Sequence, residues 1–204
     1  MQITLTNTGK RYNREWIFRH VDYVFTPGNS YAITGPNGSG KSTLLQVIAG
    51  AVQHSEGNIE YQDKTGSIGT VDAYKQLSIA TPYLELIEEM TAAELLNFQS
   101  KFKEFSKPVA DMLAEVSLHH AAHKQIRYFS SGMKQRLKLA QAFFSHSQVL
   151  LLDEPTTNLD ADGIELYRQL INKHAAGKLI IVSSNDKAEY EFCKEVISIS
   201  NYKS

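Results

Sequence analysis

Residues 35–42 read GPNGSGKS and are followed by Thr43, and no other stretch restricts the fold as much. The run satisfies G-x-x-x-x-G-K-[ST] at every fixed position, with Gly35, Gly40, Lys41 and Ser42 in place. Such a loop requires a strand leading in and a helix leading out. Tyr31-Ala32-Ile33-Thr34 is apolar enough for a buried strand. Ser42-Thr43-Leu44-Leu45-Gln46-Val47-Ile48-Ala49 continues as a helix that Gly50 can stop.

The residue types dictate the chemistry. Gly35, Gly38 and Gly40 allow backbone angles closed to residues with a Cβ, so successive N–H groups can turn inward around an anion. Pro36, Asn37 and Ser39 fill the remaining positions of this cradle. The helix beginning near Lys41 adds its positive N-terminal end, and Lys41 adds a full charge near the β- and γ-phosphates. Ser42, backed by Thr43, can set a hydroxyl on Mg²⁺. The loop implies a nucleoside triphosphate and leaves open what its energy is used for.

A second chemical run is Val149-Leu150-Leu151-Leu152-Asp153-Glu154-Pro155-Thr156. Consecutive apolar residues suit a central parallel strand covered on both faces, and the acids then emerge at its C-terminal end, where ligands of such sheets sit. Asp153 is the expected Mg²⁺ ligand, directly or through water, and Glu154 the expected acceptor of a proton from attacking water. Upstream, Phe129-Ser130-Ser131-Gly132-Met133-Lys134-Gln135-Arg136 heads a helix carrying Leu137, Ala140 and Phe144 on one face. A serine and small residues at a helix start form another anion site. The first loop does not need it, so a two-fold dimer in which each subunit completes the other's nucleotide site is the economical explanation.

Lysine plus arginine number 21 and aspartate plus glutamate 22, a net charge of −1, so no basic surplus announces nucleic acid. Cys193 is the only cysteine, which excludes an intrachain disulfide and a thiolate zinc cluster. No apolar run approaches the roughly eighteen residues of a membrane span, and the first residues alternate like a strand instead of forming a signal peptide. A cytoplasmic chain is expected.

The first thirty or so residues alternate as antiparallel strands, and 63–70 is polar enough for a loop before a strand at Leu77-Ser78-Ile79-Ala80. Thr91-Ala92-Ala93-Glu94 is a capping box opening a helix whose apolar face takes Leu95, Phe98, Phe102 and Phe105. Pro108 opens another with Val109, Met112, Leu113 and Val116 inward. One domain is therefore expected, with a core over 1–81 and 146–204 and a helical insertion over about 82–145. His119 and His123 have i, i+4 spacing, but no carboxylate or cysteine completes a metal site, and a solvated loop is expected.

These motifs together resemble the ATP-binding cassette (ABC) ATPases nearly end to end. GPNGSGKST is similar to their Walker A loop, Ser130-Ser131-Gly132-Met133 with Lys134-Gln135-Arg136 to their LSGGQ signature, and LLLDEPT with Asn158-Leu159-Asp160 to their Walker B strand and D-loop. The resemblance implies an α/β P-loop NTPase cassette: a central, mostly parallel sheet, an N-terminal antiparallel β region and an inserted helical subdomain. It also implies ATP and Mg²⁺ as ligands, and two cassettes closing head-to-tail, with Ser130 and Gly132 contacting the nucleotide of the other copy. Tyr12 falls where an aromatic stacks on adenine, with Trp16 competing. Partners implied are a second cassette, the same or different, and an integral membrane permease that holds this subunit at the inner face of the membrane.

Two departures bear on chemistry. Tyr83 occupies the apparent glutamine-loop position, and Asn185 stands where the switch histidine should follow the strand Leu179-Ile180-Ile181-Val182-Ser183-Ser184. A carboxamide donates a hydrogen bond but cannot carry an imidazolium's charge, so slow hydrolysis is expected. The expected function is ATP hydrolysis driving transport, in the manner of short exporter-type cassettes such as the haem-exporter ATPases of cytochrome c maturation. The alternative is a soluble ATP-driven clamp or switch.

Overall fold

The computed structural model describes residues 1–203. In chain order the elements are β1 (Gln2–Tyr12), β2 (Glu15–Phe25), β3 (Ser30–Thr34), α1 (Lys41–Ile48), β4 (Glu56–Asp63), β5 (Gly66–Ile68), α2 (Thr70–Ala73), β6 (Leu77–Ala80), α3 (Ala92–Gln99) and α4 (Val109–Glu115). There follow α5 (Ser131–Phe144), β7 (Val149–Asp153), α6 (Ala161–His174), β8 (Leu179–Ser183), α7 (Lys187–Tyr190) and β9 (Glu195–Ser198). The described chain divides into two compact units.

The first unit holds Met1–Ile79, Ser147–Glu154 and the chain from Gly177 on. Its antiparallel sheet has the order β2-β1-β4-β5, and its second sheet the order β6-β7-β8-β3-β9. In the second sheet β3 runs parallel to both β8 and β9, and β7 parallel to β8. All five residues of β7 and of β8 are buried, which is why both read as unbroken apolar runs. The core of this unit joins Ile3, Phe18, Phe25, Ile33, Leu45 and Leu151, all at most 1% exposed. The polar stretch 63–70 is not only loop: β5 pairs with β4 in a short hairpin, Tyr61 opposite Ile68.

The second unit holds Ala80–His146 and Pro155–Ala176. Thr91 caps α3 as its sequence requires: Thr91 Oγ1 accepts from Glu94 N at 3.2 Å, and Glu94 Oε2 accepts from Thr91 N at 2.8 Å. The apolar face read beyond Leu95 is not realised. Helix α3 stops at Gln99, so the three-to-four-residue period has no helix to act on after it. Phe98 and Phe102 stand 45% and 69% exposed, stacked edge to face with ring centroids 5.1 Å apart. In α4, Met112 and Leu113 are buried, and Val116 follows them inward. Helix α5 packs on α6, with Phe143 meeting the ring of Tyr167.

A polar contact at Glu115 joins α4 to α6 in this unit. Glu115, at the end of α4, accepts from Lys107 and shares a 2.7 Å hydrogen bond with His174 Nε2 at the end of α6. Burial opposes ionisation of Glu115, but the hydrogen bonds from His174 and Lys107 outweigh it and hold the carboxyl below its usual value. A depressed carboxyl pKa gives stability that is present above the unfolded-state value and lost as pH falls through the folded one. Glu115→Gln should therefore cost about 1 kcal/mol at neutral pH, and the difference from the parent should shrink as pH falls below the usual glutamate value of about 4.3, measured by urea unfolding across that range.

Candidate functional site

Parallel register assembles the first cluster. Asp153 pairs with Ser183 between β7 and β8, and Ser183 pairs with Ile33 between β8 and β3. Three strands thus end in a row, and the residues that leave each strand are thrown to one edge: the 35–42 loop after β3, Glu154 after β7, and Ser184-Asn185 after β8.

The loop has the backbone that its glycines allow. Gly35, Gly38 and Gly40 have φ of 147°, 75° and 100°. Ser39 N donates to Pro36 O at 3.0 Å, closing a turn, and Leu44 N to Gly40 O at 2.9 Å, starting α1. Lys41 is 4% exposed and folds back along the loop, its Nζ donating to Gly35 O at 2.8 Å and to Pro36 O at 3.3 Å. Ser39 Oγ is buried beneath the loop with no hydrogen-bond partner, an orphaned polar atom inside the cradle. Ser42 and Thr43 are half-buried at the start of α1.

Asp153 is 2% exposed, and Ser183 Oγ donates to its Oδ1 at 2.6 Å. Glu154 adopts a left-handed φ of 42°, with its N–H donating to Ser183 O at 2.9 Å. That conformation is costly for a residue with a side chain and is held by the β8 contact. Ser183 escaped sequence reasoning. Its signal was present, a pair of hydroxyls ending an apolar run. No group of three His, Cys, Asp or Glu side chains that could hold a metal occurs among the described residues. The Asp153 carboxylate and the Ser42 hydroxyl would suit a divalent ion that takes its other oxygens from water and phosphate, as Mg²⁺ does.

Asn185 bridges onto the loop. Its Oδ1 accepts from Gly35 N at 3.1 Å, and its Nδ2 donates to Asn37 Oδ1 at 3.1 Å. Of the two aromatics, Tyr12 is 47% exposed with the Lys10 ammonium 4.7 Å from its ring centroid. The Trp16 ring has the guanidinium groups of both Arg11 and Arg19 against it, at 5.5 Å and 4.1 Å from the centroid. Its neighbour Ile17 rests on the loop: a Cβ at Gly40 would fall 2.4 Å from Ile17 Cγ2. Sequence reasoning missed Ile17.

The second cluster lies in the second unit, at the start of α5. Ser130 is its N-cap, Oγ accepting from Met133 N at 3.2 Å. Gly132 runs close to the 157–159 backbone, where an added Cβ would fall 3.0 Å from Asn158 O. Gln135, 3% exposed, donates from Nε2 to Pro155 O at 2.8 Å. Arg136 pairs with Asp160 at 2.8 Å, and Asp160 also caps α6 by accepting from Gly163 N at 2.9 Å. A cavity of about 290 Å³ opens here between Ser130, Gly132, Arg136, Asn158 and His120. His119 lies in a single 3₁₀ turn, so His119 and His123 share no helical face. Tyr83 is 75% exposed and lines a separate groove with Lys134 and Lys138.

A glycine-rich loop at the C-terminal edge of a parallel sheet, with an acid pair on the strand beside its neighbour, defines a P-loop nucleotide-binding protein. The family model described as ABC transporter matches residues 18–157, and this chain belongs to that family. It is 31% identical over 202 residues to the linearmycin resistance ATP-binding protein LnrL of Bacillus subtilis, covering 95% of this chain and 64% of that protein's length. It is 32% identical to the cytochrome c biogenesis ATP-binding export protein CcmA of Rhizobium etli, covering 90% of this chain and 87% of that one. Among solved structures, the ATP-binding cassette MJ0796 in a dimeric post-hydrolysis state bound to ADP and Pi superposes with a TM-score of 0.83. That match has 22% identity and covers 96% and 93% of the two chains. No described helix is long and apolar enough to cross a membrane.

Gly40→Ala combines a left-handed φ with a clash against Ile17, so it should cost about 1–3 kcal/mol of stability and weaken triphosphate binding. Gly38→Ala, with no atom within 4 Å of the new Cβ, carries backbone strain alone and should cost about 1 kcal/mol. Thermal melts and nucleotide titration of the two variants check that order.

Proposed function

We propose that this chain is the ATP-hydrolysing subunit of a membrane transporter, working from the cytoplasmic face as one of two cassettes that close head-to-tail over ATP. The observation that carries the reading is the β7–β8–β3 register, which ends Asp153, Ser183 and Ile33 in one row, from which Glu154, Asn185 and the loop carrying Lys41 lead off. The permease, the cargo and the second cassette's identity lie outside this chain.

In this mechanism the 35–42 amides and the α1 dipole receive the β- and γ-phosphates, and the Lys41 ammonium leaves Gly35 O and Pro36 O for them. Ser42 and Asp153 would hold Mg²⁺, which would supply positive charge to offset that developing on the phosphate oxygens. Glu154 takes a proton from water as the water oxygen bonds to Pγ and the bond from Pγ to the bridging oxygen breaks, yielding ADP and phosphate. Asn185 donates to a γ-phosphate oxygen after releasing Asn37. Ser130 and Gly132 serve the nucleotide of the other copy. Trp16 is favoured over Tyr12 as the base platform because its neighbour Ile17 touches the loop.

Glu154→Gln should lower kcat at least about a hundredfold while leaving ATP bound and the dimer closed; turnover at the parental rate would remove Glu154 from its role. Asn185→His restores a titratable donor and should raise kcat several-fold, measured by phosphate release. Detergent extraction of the tagged protein from its native membranes should bring down a multi-span membrane protein in stoichiometric amount. Recovery without one would point to the soluble clamp.

A further inference from the structure

We propose that His120 is a nucleotide contact in the cavity at the start of α5, its imidazolium donating to polyphosphate oxygens held by a second copy of the chain. The inference rests on the head-to-tail function proposed for this chain, in which this cavity faces the nucleotide of the other cassette. It adds a residue that neither the loop motifs nor the signature run supplies.

The position of His120 is built into the fold. Ser117 turns the chain out of α4 with a left-handed φ of 58°, and Leu118 N returns to Leu113 O at 2.7 Å. Leu118 and Ala121, 1% and 3% exposed, anchor the 3₁₀ turn on either side of the two histidines. The His119 and His120 rings meet edge to face, centroids 5.5 Å apart, and His120 is the one that lines the cavity.

The balance of charge around the cavity singles out this ring. Arg136 from α5 and Asp160 from the α6 cap both line it and are bonded to each other. The Gly163 N–H, and then Arg136, hold the Asp160 carboxyl below its usual value, so Asp160 stays anionic and offsets Arg136. The other walls, such as Ser130, Ser131 and Asn158, are neutral. Ser130 Oγ accepts from Met133 N and keeps its own proton to donate. With Arg136 and Asp160 offsetting each other, His120 is the remaining ionisable side chain in the lining of the cavity. An imidazolium facing a triphosphate forms a charge-assisted hydrogen bond, whereas neutral imidazole forms an ordinary one.

The test uses Glu154→Gln as the background, so that ATP is held while assembly is read. The ATP concentration for half-dimerisation is measured by analytical ultracentrifugation at about pH 6 and about pH 8. Adding His120→Gln should raise it about tenfold at the lower pH and little at the higher. His120→Arg should keep closure tight at both, and His119→Gln should match the background at both. ATP gains a proton over the same range, but that contribution is common to all variants. Equal half-dimerisation concentrations for His120→Gln and its background at the lower pH overturn the proposal. Failure of the Glu154→Gln background itself to dimerise while binding ATP would instead overturn the head-to-tail reading, and the His120 contact with it.

Discussion

Parallel pairing of β7 with β8 and of β8 with β3 is the constraint on which the first unit's site depends. Every residue of β7 and β8 is buried, so neither strand can present a functional side chain along its length. Chemistry is pushed to the strand ends, and because the strands run the same way and in register, the ends coincide. Asp153, Ser183 and Ile33 form a row, and Glu154, Asn185 and Gly35 lie within two residues of it. A one-residue slip of β7 would turn Asp153 to the opposite face of the sheet.

Holding that edge requires local compensation. Asp153 is almost fully enclosed, and the Ser183 hydroxyl satisfies one of its oxygens. Glu154 and Asn158 take left-handed backbone conformations on the way out of β7, as do three glycines of the loop. Lys41 and Asn185 close over the loop from two sides, one through backbone carbonyls and the other through Gly35 N and Asn37. These contacts fix the loop in one arrangement.

The sequence was most readable where local and global preferences coincide. The strand–loop–helix frame of 35–42, the buried runs of β7 and β8, and the Thr91–Glu94 box each carry their own physical signature, and each was found in place. It was least readable where a period continued past its element. Phe102 keeps helical spacing with Leu95, yet α3 ends at Gln99 and Phe102 is exposed. The β5 hairpin was hidden in a polar run, because three residues pairing with β4 need no apolar pattern of their own. Ser183 and Ile17 were missed for another reason: neither belongs to a motif, and each matters only through what the fold sets beside it.

By itself the sequence determined the chemistry of this protein: a phosphate cradle, an acid pair at a strand end, and a second helix start suited to an anion. Those are properties of residue type and short spacing, which any fold preserving the local frames must keep. Only the tertiary structure decided that Ser183 supports Asp153, that Asn185 holds Gly35 and Asn37, and that His120 shares a cavity with Ser130 and Arg136. Such pairings join residues far apart in the chain. They follow from strand order, register and helix packing, where the selecting force is burial summed over many side chains and no local pattern records the result.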